Sequence, residues 1–288
     1  MTDRPQRRRT RPPSARKAQA TGRANQRSDL AARILAAIPL VVIAAGLVYA
    51  GGWVFVAGLF VLGVIALREL FTMYERAVPA ILGGFVGMAG LLVAAHVGDG
   101  GSVLLAFVAS IPVVFLLGLA QPQRVGVAGV TVTIFGLAWI GLAFAHAVLL
   151  RDALHGGGIV VLVLAATFIG DTGAYLGGRA FGTRKLAPAI SPNKSVEGLL
   201  IGVVAGTLAG WFVGLYDDWL SGTDALILGA SVAVIAPLGD LFESFVKREA
   251  GTKDSGTVFG AHGGVLDRLD AVAFSIVAGY YVWLALGG

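Results

Sequence analysis

Nine stretches of this sequence are apolar for about 20 residues each, at approximately 31–50, 52–70, 78–97, 102–120, 127–149, 158–178, 198–216, 224–243 and 269–287, the length an α-helix needs to cross the ~30 Å hydrocarbon core of a bilayer. In lipid every backbone N–H and C=O must be satisfied internally, so each run is expected to be a helix. The predicted fold is therefore an all-α polytopic membrane helix bundle of nine transmembrane helices. Composition agrees: 14% of residues are charged, against roughly a quarter in soluble domains, and the mean hydropathy is +0.80. Only Gly51 and Gly52 separate the first two runs, which predicts a tight helical hairpin. The 42 glycines fit helices packed closely in lipid, where small side chains let backbones approach. Cysteine is absent, which excludes disulfides, zinc-thiolate sites and a cysteine nucleophile.

Residues 1–29 differ from all that follows. Arg4, Arg7, Arg8, Arg9, Arg11, Arg16, Lys17, Arg23 and Arg27 stand there among Pro, Ser, Gln and Ala, a composition that cannot build a core. They read as a disordered basic cytosolic tail, suited to setting topology or touching anionic headgroups. Charge alone is too weak a signal for RNA, so no nucleic-acid partner is expected. With the tail inside, as the Lys/Arg bias requires, alternation of the spans leaves only Arg151 outside among the 22 Lys and Arg residues. The expected arrangement is a cytosolic N-terminus and an outer C-terminus. The chain then divides into the tail, N-terminal transmembrane helices over 30–155, and a C-terminal catalytic region over 156–288. The longest polar connections, 179–197 and 244–268, both fall on the cytosolic side.

Chemistry concentrates in three places. Asp171, Tyr175 and Arg179 in the sixth span are spaced i, i+4, i+8 and share one stripe. A carboxylate at that depth faces the bundle interior or a wet cavity, either as a site or as a packing network with Arg179. Ser191-Pro192 before the seventh span reads as an N-cap with Pro at the first helical position, so that Ser191 and Lys194 would border an anion-binding helix start. The same helix carries Gly202, Gly206, Gly210 and Gly214, a packing face. The third place runs from Gly239 to Asp270. If the eighth helix continues to Arg248, Asp240, Ser244, Lys247 and Arg248 lie on one face, and Asp267 and Asp270 share a face of the ninth. Asp240 and Asp267 could then meet and hold a divalent cation such as Mg²⁺, which takes one or two carboxylates plus substrate phosphates. Gly256, Gly260, Gly263 and Gly264 would let backbone N–H groups approach a phosphate, with His262 as a contact beside them. A solvated basic loop would explain the lysines and arginines but not the aspartates at the helix ends.

The run Ser244-x-Val246-Lys247-Arg248, Lys253-Asp254-x-Gly256, Phe259-Gly260-x-His262-Gly263-Gly264-Val265-x-Asp267-Arg268-Leu269-Asp270 resembles the complete signature of phosphatidate cytidylyltransferases, the CDP-diacylglycerol synthases. The likeness extends to the Asp171 region and to Ser191–Gly198, hence over roughly 165–288. It implies condensation of CTP with phosphatidic acid to CDP-diacylglycerol and pyrophosphate, with Mg²⁺ and a second cation such as K⁺. Carried onto this chain, it makes Asp240 and Asp267 the metal ligands. Lys247, Arg248, Lys253 and Arg268 would offset phosphate charge, with Ser191, Lys194, Ser244 and His262 completing the phosphate contacts. Asp171 and Glu197 would read cytosine or orient the cations. Asp254, Gly263, Gly264 and Asp270 complete the expected substrate site. The resemblance and the glycine-rich faces are compatible with a homodimer in the cell membrane. Two other readings stand beside it: a CTP-dependent lipid kinase of the polyprenol or dolichol type, and an ion-coupled transporter. The full signature argues against the first, and the gathering of charge late in the chain against the second.

Overall fold

A computed structural model describes residues 42–120, 125–256 and 263–288. The basic tail, the first part of the first predicted span and His262 lie outside the described residues. Residues 42–50 are helical, and after Gly51 come α1 (Gly52–Met73), α2 (Ile81–Val97), α3 (Gly100–Leu119), α4 (Val127–Asp152), α5 (Gly156–Phe181), strands β1 (Lys185–Ala187) and β2 (Ser191–Ser195), α6 (Val196–Gly214), α7 (Gly222–Glu249) and α8 (Leu266–Ala285). Among the described residues seven helices, all but α2, are long and apolar enough to cross a membrane, and α2 is a shorter apolar helix of 17 residues. Residues 44–288 pack as one unit.

Helix starts follow local chemistry. Asp99 caps α3 by accepting the Ser102 N–H at 2.8 Å, which holds its carboxyl below the usual carboxylate range. Ser221 caps α7 by accepting the Asp224 N–H at 3.1 Å. Leu137–Gly141 form a π-turn inside α4.

The hairpin β1–β2 departs from the all-helical expectation and corrects the reading of Ser191. Lys185 pairs with Ser195 and Ala187 with Ser191, so Ser191–Ser195 is extended. Pro192 is tolerated because a two-stranded ribbon leaves each strand an edge where no N–H is needed. The N-cap of α6 is Ser195, whose hydroxyl accepts the Gly198 N–H at 3.2 Å.

The core of the bundle is apolar, with Leu67, Leu70, Met88, Leu137, Ile159, Leu162 and Leu228 fully buried. Around the C-terminal helices contact is made by backbone instead. A methyl group on Gly206 would stand 2.7 Å from the Ala166 carbonyl oxygen and 2.9 Å from Ala233 Cβ, and one on Gly210 would stand 2.7 Å from Gly229 Cα. The glycine ladder of α6 is thus a packing face, fitted between α5 and α7. It follows that Gly206→Ala must push backbone apart, at a cost of about 1–3 kcal/mol. Gly90→Ala, with nothing within 4 Å of the added carbon, should leave stability unchanged or slightly raised. Thermal melting of both variants in detergent checks this, and equal melting points would refute it.

Candidate active site

A cavity of about 640 Å³ lies where α5, the hairpin, α6, α7 and α8 converge. Helical spacing brings its polar groups there. On α5 the i, i+4, i+8 stripe presents Asp171, Tyr175 and Arg179, and on α7 the i, i+3, i+7 set presents Asp240, Glu243 and Lys247. Asp267 and Asp270 come from the first turns of α8, and β2 contributes Asn193 and Lys194.

The charges are arranged in linked pairs. Lys194 Nζ lies 2.5 Å from Asp240 Oδ2. Lys247 Nζ lies 2.8 Å from Glu243 Oε2 and 2.6 Å from Asp267 Oδ1, so one ammonium group joins α7 to α8. The other oxygen of Asp267 is held by the frame: Oδ2 accepts the Gly264 N–H at 2.7 Å, the Ser255 hydroxyl at 2.9 Å and the Ser255 N–H at 3.1 Å. Ser244 donates a long hydrogen bond of 3.5 Å to Asp240 Oδ1. Glu243 is only 1% exposed, and among the described residues its Oε1 has no hydrogen-bond partner.

Of the residues expected from sequence, Asp171, Lys194, Asp240, Lys247, Asp267 and Asp270 do line this one cavity. Others lie around it. Arg248 is exposed and donates to the Ile190 and Thr252 carbonyls at 3.4 and 3.3 Å, tying α7 to the hairpin and to its own loop. Glu197 accepts from Thr183 N, Thr183 Oγ1, Arg184 N and Arg184 Nε at 2.8–3.1 Å, so its carboxylate clamps the turn between α5 and β1. Ser191 sits in β2, while Lys253, Asp254 and Arg268 are exposed.

Three participants escape the sequence reading. Glu243 stands three residues after Asp240 and four before Lys247, and that spacing alone would have found it. Ser255 and Glu69 carry no local signal. Glu69 looks like an ordinary boundary charge beside Arg68, yet it is only 6% exposed. Its Oε1 accepts the Val265 N–H and its Oε2 the Leu266 N–H, each at 2.9 Å. Gly256 and Gly264 are small for the same reason, since a methyl on either would run into the Glu69 carboxylate. Gly263 has a φ of +86°, open to glycine, and a methyl there would stand 2.6 Å from Asp267 Oδ2.

A sequence model described as the cytidylyltransferase family matches residues 31–286. The phosphatidate cytidylyltransferase of Staphylococcus saprophyticus is 30% identical over 253 residues, covering 84% of this chain and 94% of that protein. That of a Synechocystis strain is 30% identical over 282 residues, covering 86% of this chain and 94% of that protein. That of Haemophilus influenzae is 42% identical over 131 residues, 44% of this chain and 46% of that protein.

The Glu243–Lys247–Asp267 arrangement predicts a specific stability pattern. Lys247→Met leaves the Glu243 and Asp267 carboxylates, 1% and 13% exposed, without their shared cation, and breaking a buried pair from one side costs about 3–5 kcal/mol. Adding Glu243→Gln to that variant removes one of the two stranded charges and should recover part of the melting temperature. A double variant no more stable than the single one would mean that Glu243 and Lys247 do not act as a pair.

Proposed function

The chain belongs to the cytidylyltransferase family, and on that footing we propose that it condenses CTP with phosphatidic acid to give CDP-diacylglycerol and pyrophosphate in phospholipid biosynthesis. The observation that carries this reading is the convergence of Lys247, Asp267 and Asp270, all from the signature run, with Asp171, Lys194 and Asp240 on one cavity among membrane-spanning helices. CTP is cytosolic, and the Lys/Arg bias of the sequence supports a cavity that opens on that side.

In the reaction a phosphate oxygen of phosphatidate attacks the α-phosphorus of CTP. The new P–O bond forms as the bond from the α-phosphorus to the bridging oxygen breaks, and that oxygen leaves with pyrophosphate. The attacking oxygen is already anionic near neutral pH, so no strong base is needed. Catalysis rests on alignment and on fixed charge at the phosphates. Lys194 and Lys247, the ammonium groups set among the carboxylates, are suited to hold phosphate oxygens. Arg248, Lys253 and Arg268, exposed around the loop, raise the local concentration of anions. Ser191, Ser244 and His262 remain the proposed further phosphate contacts. Asp171, at the cavity wall, is proposed to orient the nucleotide, and Glu197 to keep the hairpin in place beside it.

The donor set fits a hard divalent cation. Five carboxyl groups line the cavity beside Lys194, Lys247 and Arg179, oxygen donors of the kind a hard cation takes. Glu243 Oε1 is buried and, among the described residues, without a hydrogen-bond partner. Mg²⁺ usually keeps several waters and is bound through one or two carboxylates plus substrate phosphates. Asp240 and Asp267 are the proposed ligands, with a second cation such as K⁺ proposed beside them. Held by Asp240 and Asp267, Mg²⁺ would supply positive charge against the charge that develops on the phosphates.

Purified protein given CTP, phosphatidic acid and Mg²⁺ should release CDP-diacylglycerol and pyrophosphate in equal amounts, and EDTA should stop it. Asp267→Asn should lower turnover on the order of 10²–10³-fold, the scale of losing a preorganised charge at the reacting phosphates, while the variant still inserts and folds. Phosphorylation of an added lipid alcohol, with no product from phosphatidate, would overturn the proposal in favour of a lipid kinase.

A further inference from the structure

Among the described residues Glu69 is a carboxylate tied to this site from outside the C-terminal helices, and its surroundings say what it does. The helix that carries Asp267 and Asp270 begins without a cap of its own: the N-cap of α8 is Val265, which has no side-chain hydrogen bond to offer. The first N–H groups of a helix have no intrahelical partner, and the end they form is electropositive. Here the missing acceptors come from α1. Glu69 takes the Val265 and Leu266 N–H groups, one on each oxygen, at 2.9 Å, across 196 and 197 residues of sequence.

Glu69 also reaches the loop that frames Asp267. The Ser255 hydroxyl lies 3.2 Å from Glu69 Oε2 and 2.9 Å from Asp267 Oδ2, and Ser255 is buried, at 4% exposure. The post that holds Glu69 is stiff, because Ala66, Leu67 and Leu70 on the same helix are wholly buried. The C-terminal end of α1 also touches the other helix of the site, where the Tyr74 hydroxyl donates to the Val246 carbonyl at 3.3 Å, next to Lys247. α1 thus fixes the start of α8 and the end of α7 together.

We infer that Glu69 is a positioning residue of the reaction, acting through Asp267: by capping α8 from α1 it sets the rotation and depth at which Asp267 Oδ1 is presented to the cavity. The inference rests on the proposed function for the identity of the reaction, and on the hydrogen bonds alone for the positioning. A cap that only stabilised the helix would change how much protein folds. A cap that aims a ligand changes what each folded molecule does.

Glu69→Gln keeps the size of the side chain but turns one acceptor into an N–H donor facing the Leu266 N–H and Ser255. Folded variant, purified by gel filtration in detergent, is assayed per folded molecule. Turnover, or the affinity for Mn²⁺ followed by electron paramagnetic resonance without substrate, should fall about 10-fold to 100-fold, the usual effect of losing an outer-shell partner. The half-saturating Mg²⁺ concentration should rise with it, while KM for CTP moves little. Wild-type Mn²⁺ affinity, Mg²⁺ dependence and turnover per folded molecule would overturn the inference and leave the proposed function standing. Weakened Mn²⁺ binding in a protein whose wild type makes no CDP-diacylglycerol would uphold the positioning and overturn the proposed function. If Glu69→Gln does not accumulate folded, Glu69→Asp decides: it keeps the charge but draws the carboxylate back by one methylene from the Val265 and Leu266 N–H groups. A few-fold loss in the same measurements supports the inference, and wild-type values overturn it.

Discussion

Carboxylates crowded between membrane-spanning helices repel one another and lose the hydration that water would give them, and the structure around the cavity answers that cost. A charge buried alone is expensive, and it becomes tolerable when paired and hydrogen-bonded. Lys247 lies between Glu243 and Asp267, and Lys194 faces Asp240. The second oxygen of Asp267 is covered by donors from Gly264 and Ser255. These pairs also define the geometry. An ammonium shared by α7 and α8 fixes their separation near Lys247, and Lys194 draws the hairpin against α7. The acidic wall is therefore both the proposed cation site and the reason its helices meet where they do.

Such a wall requires helices that approach closely, and that is the contribution of glycine. The ladder on α6 lets α5 and α7 come within backbone contact on either side. Larger residues there would hold Asp171 away from Asp240 and Lys194. Packing deep in the helices and chemistry at their ends are parts of one arrangement. The glycine ladder, read from the sequence as a packing face, is what brings the helices that line the cavity together.

What could be read from the sequence was whatever repeats or is local. Apolar runs gave the helices, since lipid leaves the backbone few alternatives. Spacing on α7 and α8 gave the faces bearing Asp240, Lys247, Asp267 and Asp270, because helical period is a short-range property. Ser191 was misplaced because Ser-Pro before an apolar run resembles a cap. The competing fate, pairing with Lys185–Ala187, depends on a partner strand too short to announce itself. Glu197 was legible as a polar residue near the site but not as a clamp, since its partners at Thr183 and Arg184 lie across the turn of a hairpin that was not foreseen.

Glu69 marks the limit of local reading more sharply. Nothing near Val265 shows that α8 lacks a cap of its own sequence, and nothing near Arg68 shows that α1 supplies one. The signature run contains the glycines that make room for the Glu69 carboxylate, so the motif records the imprint of a residue it does not include. A glycine beside a phosphate-handling sequence invites the explanation that phosphate needs the space. Here Gly256 and Gly264 border a carboxylate instead, and their smallness is explained by the helix cap. The region bearing the catalytic signature is thus not self-sufficient. The helix that presents Asp267 takes its first hydrogen bonds from α1, and the N-terminal helices belong to the geometry of the site as well as to its anchorage in the membrane.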